Sequence, residues 1–143
     1  DVVREEAAKG KPLLGICLGM QMLLTKSYEY GEHDGLDLIP GNVKPIAPII
    51  GSELKVPHIG WNALIFPEDK PKSKLYKYVE PGEHVYFVHS YYGADCTEYV
   101  SAYSEYGAML TASVEHENVY GTQFHPEKSG KTGLNILKAF CEI

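Results

Sequence analysis

Residues 13–24 read LLGICLGMQMLL, and no other stretch limits the fold so tightly. Apolar residues run into Gly15-Ile16-Cys17-Leu18-Gly19, and an apolar-periodic run follows. A buried strand ending in G-I-C-L-G, with a helix opening at Met20, puts Cys17 on a sharp turn. Small neighbours let the backbone bend there and leave the side chain standing out. This is the spacing of a G-x-S-x-G nucleophile elbow, with cysteine in place of serine. The plainer reading is a buried structural cysteine between two packing glycines, because free cysteine is among the most buried residue types.

Composition narrows the field. A chain of 143 residues fits one domain with its own core. A formal net charge of −6 argues against nucleic acid or an anionic membrane as a partner. Three cysteines at positions 17, 96 and 141, with no C-x-x-C pair, form neither a disulfide framework nor a zinc ribbon. A reducing cytoplasm is the expected home, and nothing in the sequence calls for a metal or a cofactor. No run approaches the roughly 18 apolar residues of a membrane span.

The opening DVVREEAAKGK reads as the last turns of a helix closed by Gly10, and PLLGI as a parallel strand buried on both faces. Such a strand needs neighbours, so the expectation is a domain over residues 1–143 that lacks its N-terminal strands. Met20 to Lys26 is predicted as a short helix, and LDLIPGNVKPIAP as a strand broken at Pro40-Gly41. ELKVPHIGWNALIF reads as two short strands bending at Gly60, KLYKYV as one or two helical turns, and EHVYFVHSYYG as a single long strand. Two antiparallel segments follow, EYVSAYSEYG and MLTASVEHENVYGTQFHP, the latter turning near residues 117 and 118. In the tail, Leu134, Leu137 and Cys141 recur at helical spacing beside Ile136, Phe140 and Ile143, which predicts a helix packed on a sheet. The fold class is α/β, a mixed, mostly parallel sheet flanked by helices, with antiparallel additions.

GTQFHPEKSG, residues 121–130, is the second constellation. In an extended segment His125 and Glu127 point the same way, and Pro126 stiffens the pair. A carboxylate accepting the imidazole N–H fixes the tautomer and stabilises the imidazolium, the task of the third member of a nucleophile–base–orienter triad. Taken alone, His-Pro-Glu is more simply a surface turn. No H-E-x-x-H is present, and no third ligand lies near in sequence to build a metal site.

Together, G-I-C-L-G-M-Q and Q-F-H-P-E resemble the class I (triad) glutamine amidotransferase family, in order and in separation. The resemblance implies a flavodoxin-like domain that hydrolyses glutamine to glutamate and ammonia for a synthase. It implies Cys17 as thioester-forming nucleophile, His125 as general base and acid, and Glu127 as its orienter. By the same resemblance the Leu18 N–H is one oxyanion donor, and Gln21 helps to bind glutamine.

Within the family, V-P-H-I-G-W-N at 56–62, Y-F-V-H-S-Y-Y at 86–92, and H-P-E-K-S-G followed by G-L-N-I-L resemble one subfamily. It comprises the glutaminase subunits of imidazole glycerol phosphate synthase, from histidine biosynthesis. The likeness implies Ser90 and Tyr91 at the glutamine backbone, and Trp61 and Lys128 on the face meeting a cyclase subunit. Residue by residue the alternatives stay open: Ser90 and Tyr91 as polar strand tips, Trp61 as a core or cap aromatic, Lys128 as a solvated charge. The family's second oxyanion donor lies in a segment before the elbow strand, and one such donor is worth on the order of 3 to 4 kcal/mol of barrier. A docking module without turnover, an anthranilate or guanine-nucleotide synthase subunit, and another cysteine hydrolase of the same fold are the rival readings.

Overall fold

The computed structural model describes residues 1–143. Helix α1 (Val2–Ala8) starts where the Asp1 carboxylate accepts from the Val3 N–H at 2.8 Å, and it closes ahead of Gly10, whose φ of +91° suits glycine. Strand β1 (Leu13–Ile16) then leads directly into α2 (Leu18–Leu23). Short strands β2 (Lys26–Ser27), β3 (His33–Asp34) and β4 (Asn42–Pro45) precede the single turn α3 (Ala47–Ile50). The second half comprises β5 (His58–Ala63), β6 (His84–His89), β7 (Tyr91–Ala94), β8 (Val100–Glu105), β9 (Met109–His116), β10 (Val119–Thr122) and α4 (Gly130–Cys141).

The strands form three sheets: β1-β10-β9-β8, β3-β2-β4-β7, and the hairpin β5-β6. Adjacent residues point to opposite faces of a strand. Leu13 and Val119 enter one apolar cluster with Met20, Leu23 and Leu24, while Leu14 and Tyr120 enter another with Phe87, Phe124 and Ile136. The first sheet is thus covered on both sides, as the apolar run PLLGI requires. No helix is long and apolar enough to cross a membrane.

The α/β class is the expected one, but the balance within the sheets differs. Only β1/β10 and β2/β4 are parallel; the other five ladders are antiparallel. The short connections across residues 106–108 and 117–118 permit only hairpin returns.

Several boundaries also move. The elbow helix opens at Leu18, not Met20, because Cys17 itself is the turn. EHVYFVHSYYG divides at Ser90 between two sheets, β6 pairing β5 and β7 pairing β4. Conversely, the stretch around Gly60 is one strand, with Gly60 at φ +146° absorbing the bend. In α4 the buried residues are Gly133, Ile136 and Ala139, while Leu134 is 65% exposed and Cys141 is exposed. Of the two expected stripes, Ile136 and Phe140 pack into the core, while the close approach of the helix to the preceding chain puts Gly133 there in place of a larger residue.

Candidate active site

The elbow follows from two hydrogen bonds and one close approach. The Cys17 N–H donates to the Thr122 carbonyl at 2.7 Å, extending the β1/β10 ladder by one residue. The Cys17 carbonyl already accepts from the Gln21 N–H at 3.2 Å as the first bond of α2. Serving both elements forces Cys17 to φ +54°, ψ −107°, a conformation that L residues avoid. Gly15 is obligatory beneath it, since a Cβ there would lie 2.6 Å from the Gly19 carbonyl oxygen. Gly19 itself has open space where a Cβ would go. The two motif glycines are therefore not equivalent.

The thiol sits among donors and acceptors. Sγ lies 3.8 Å from the Val88 carbonyl, to which the thiol donates, and 3.7 Å from Gln123 Nε2, which donates to it. Burial pushes the Cys17 thiol above its ordinary range, and the N–H groups of Leu18 and Gln123 partly offset this. Gln123 is fully buried, and its Oε1 accepts from Gln21 Nε2 at 3.1 Å. Gln21 Nε2 also reaches the Tyr91 carbonyl at 3.3 Å. A hydrogen-bonded line thus joins thiol, helix and the far cleft wall.

His125 and Glu127 meet, though not by strand alternation. Residues Pro126–Lys128 form a 3₁₀ turn that brings the Glu127 carboxylate to 2.8 Å from His125 Nδ1. With Nδ1–H donating to the carboxylate, Nε2 is the nitrogen left to take a proton. The turn is anchored from both sides. Tyr86 accepts the His125 N–H at 3.0 Å, and Ser129 Oγ donates to the His125 carbonyl at 2.6 Å. Partial burial pushes the Glu127 carboxyl up, but the His125 hydrogen bond, a backbone N–H and the His125 and Lys128 charges bring it net below its ordinary value. Cys17 and His125 make no hydrogen bond in this structure; the thiol is turned to Val88 instead.

A cleft of about 300 Å³ opens over the elbow. Cys17, Leu18 and Gln21 line one side, and Val88 to Tyr91 line the other, with Glu29 and Pro57 completing it. The sequence-derived substrate residues Gln21, Ser90 and Tyr91 therefore all reach the same cleft as Cys17 and Leu18.

Comparison with known proteins fits this geometry. Residues 1–143 match the family glutamine amidotransferase class-I throughout. The chain belongs to the class I glutamine amidotransferases. It is 52% identical over 134 residues to imidazole glycerol phosphate synthase subunit HisH of Methanothermobacter thermautotrophicus, covering 94% of this chain and 64% of that protein. It is 50% identical to HisH of Carboxydothermus hydrogenoformans, covering 99% of this chain and 67% of the relative. The chain therefore spans about two thirds of the length of these relatives. Among solved structures, a glutamine amidotransferase from Thermotoga maritima superposes with a TM-score of 0.62 at 21% identity, covering 99% of this chain and 51% of that one. PurLQS from the same organism gives 0.66 at 21%, covering 98% of this chain and 65% of that one. At that identity they speak for the fold.

Two residues expected on a partner face stand outside the amidotransferase cleft. Trp61 is 53% exposed on β5, with its ring edge-on to Tyr86 at 5.8 Å, and Lys128 is exposed on the His-Pro-Glu turn. Three contributors were not found by sequence reasoning. Glu29 is the acidic residue lining the cleft, but it lies in an irregular polar stretch with no periodicity to place it. Gln123 opens the Q-F-H-P-E motif, but only the fold brings it to the thiol. His89 carries the only available signal, a polar ring at an inward strand position.

Proposed function

We propose that this chain forms the catalytic core of a glutaminase that hydrolyses glutamine through a Cys17 thioester and supplies ammonia to the cyclase subunit of imidazole glycerol phosphate synthase. The observation that carries the reading is the strained elbow, which holds Sγ beside the Leu18 N–H in one cleft with Gln21, Ser90 and Tyr91. The chemistry follows from the groups present. The thiol passes its proton to His125 Nε2 and attacks the carboxamide carbon, while Glu127 stabilises the imidazolium. The Leu18 N–H faces the oxyanion of the tetrahedral intermediate. The imidazolium protonates the leaving ammonia, and His125 then activates the water that releases glutamate. The Glu29 carboxylate suits the substrate's α-ammonium group, and the polar atoms of Ser90 and Tyr91 suit its backbone.

The partner reading draws on the identity to HisH subunits and on one surface. The outward face of the β5–β6 hairpin carries Ile59, 58% exposed, and Trp61. Its second strand supplies the Val88 carbonyl to which the thiol donates. Docking on this face therefore bears directly on the thiol's acceptor. The test is glutamate release by the full-length subunit, with and without its cyclase. Low turnover alone, a large rise in the complex, and none in Cys17→Ala is the expected result. Turnover surviving Cys17→Ala overturns the reading.

A further inference from the structure

Outside the triad, three side chains and two backbone carbonyls form one line of four hydrogen bonds behind the cleft wall. His89 Nδ1 lies 2.8 Å from the Tyr91 carbonyl oxygen, and His89 Nε2 lies 3.0 Å from His58 Nδ1. His58 Nε2 lies 2.8 Å from Asn62 Oδ1, and Asn62 Nδ2 donates to the Glu105 carbonyl at 2.9 Å. Both rings are buried, 1% and 6% exposed.

Counting protons along this line gives an odd result. The Glu105 carbonyl only accepts, so Asn62 turns its NH₂ there and its oxygen to His58. His58 Nε2 must then carry a proton. At the other end the Tyr91 carbonyl only accepts, so His89 Nδ1 must carry one as well. Between the rings one nitrogen must donate to the other. Three ring protons are needed, and two neutral imidazoles hold two.

We propose that His58 and His89 bind this third proton as a unit, forming a buried imidazole–imidazolium pair that ties the β6–β7 corner of the cleft to β5 and β8. His58, His89 and Asn62 are positioning residues for the cleft, acting through the Tyr91 carbonyl. That same carbonyl accepts from Gln21 Nε2, so its placement reaches α2.

The surroundings of His58 favour a cation. Its ring stacks with Tyr106, at 3.9 Å and 18°, and with Phe87, at 5.1 Å and 22°. Aromatic faces attract positive charge. Against this, burial pushes His89 down to about 4 and lowers His58 as well. The bond to the Tyr91 carbonyl raises His89, and the bond to Asn62 raises His58. Of the titratable groups nearby, Tyr106 donates its hydroxyl to the Lys55 carbonyl, and Cys17 and Glu29 lie along the cleft. Glu105 and Lys55 enter the network only through backbone carbonyls. No carboxylate hydrogen-bonds either ring, so the proton is held by the pair and its two terminal acceptors. The sign follows: the line is complete below the pair's midpoint, and above it one acceptor faces another. A coupled pair gives up its proton in a step belonging to both rings.

The test is nitrogen NMR of the ¹⁵N-histidine-labelled full-length protein between about pH 3.5 and 9, a window that spans the value near 4 to which burial pushes His89. His58 and His89 are expected to hold three ring protons at the acid end and to titrate together. Asn62→Ala removes the acceptor at one end, so two protons then satisfy the line and the midpoint falls by at least one pH unit, tenfold in proton affinity. Asn62→Leu repeats the measurement should the alanine variant fold poorly. Two ring protons throughout, or a midpoint unmoved by both variants, overturns the shared proton. The positioning role rests on the glutaminase reading, and its readout is the glutamine KM of the complex with cyclase. KM should rise at least twofold above the wild-type midpoint and lose that step in the variant, with kcat little changed. A KM indifferent to the midpoint overturns the positioning role, while absence of any glutamine hydrolysis fails the glutaminase reading and leaves the proton count standing.

Discussion

Cys17 holds a backbone conformation that costs a non-glycine residue on the order of 1–3 kcal/mol, and its side chain is the reason to tolerate it. Replacing it with glycine removes both. Cys17→Gly is expected to abolish glutamate release and to raise stability by about 1 kcal/mol in thermal or urea unfolding, since glycine adopts positive φ without strain. A variant less stable than the wild type would show that the elbow stores no strain at this residue. The thiol itself is held protonated by burial, with Leu18 and Gln123 opposing. Because a raised pKa keeps the nucleophilic thiolate scarce until higher pH, alkylation of Cys17 in the free subunit, followed by peptide mass spectrometry, should inflect above about 8.5–9, the ordinary thiol range. Gln123→Leu removes one donor to Sγ and should move the inflection further up. An inflection below the ordinary range would mean that the resting thiol is already activated, leaving His125 no proton to accept.

At the scale of elements, the contact between β1 and α2 separates the two motif glycines. Gly15→Ala sets a Cβ against backbone atoms of Gly19 at 2.6 and 2.7 Å, which cannot yield as a side chain would. A loss of about 3 kcal/mol or more is expected, at the upper end of overpacking costs. Gly19→Ala meets nothing within 4 Å and gains helix propensity, so its melting temperature should hold or rise. Equal losses from both would mean that the crossing is set elsewhere. The elbow was legible in sequence because the glycines and the cysteine that allow the turn lie within five residues, although the Thr122 carbonyl that also holds it lies far along the chain. The His125–Glu127 pairing was legible too, although through the wrong geometry: a strand and a 3₁₀ turn can both bring residues two apart together. The division at Ser90 was not legible. EHVYFVHSYYG has uninterrupted strand character, and only the competing partners β5 and β4 decide where it changes sheet. For the same reason Glu29, Gln123 and the His58–His89 line escaped: each depends on contacts between segments far apart in the chain. In α4 the helical period and the inward Ile136 and Phe140 were readable, but the outward turn of Leu134 was not, because the close approach at Gly133, where a Cβ would lie 1.8 Å from the Pro126 carbonyl, sets a glycine and not a leucine against the preceding chain.

For the molecule as a whole, the cleft and the exposed hairpin face share one strand. β6 turns the Val88 carbonyl toward Cys17 and pairs residue by residue with the strand carrying Ile59 and Trp61. A tryptophan more than half exposed beside a second exposed apolar residue is the composition of an interface centre, where a few large aromatics carry most of the binding energy. Its ring contacts Tyr86 only edge-on, so little of the fold depends on it. Trp61→Ala should therefore weaken binding of the cyclase at least tenfold, about 1.4 kcal/mol, measured by calorimetric titration. Its melting temperature should stay within about 2 °C of wild type, because the lost contacts face solvent. Turnover by the variant should remain at the free-subunit level when the cyclase is subsaturating and recover when it is in large excess, because docking is impaired and the triad is not. An unchanged dissociation constant would move the docking surface off this hairpin. A weakened complex whose turnover never recovers under saturation would show that Trp61 transmits docking to the thiol as well as anchoring the partner.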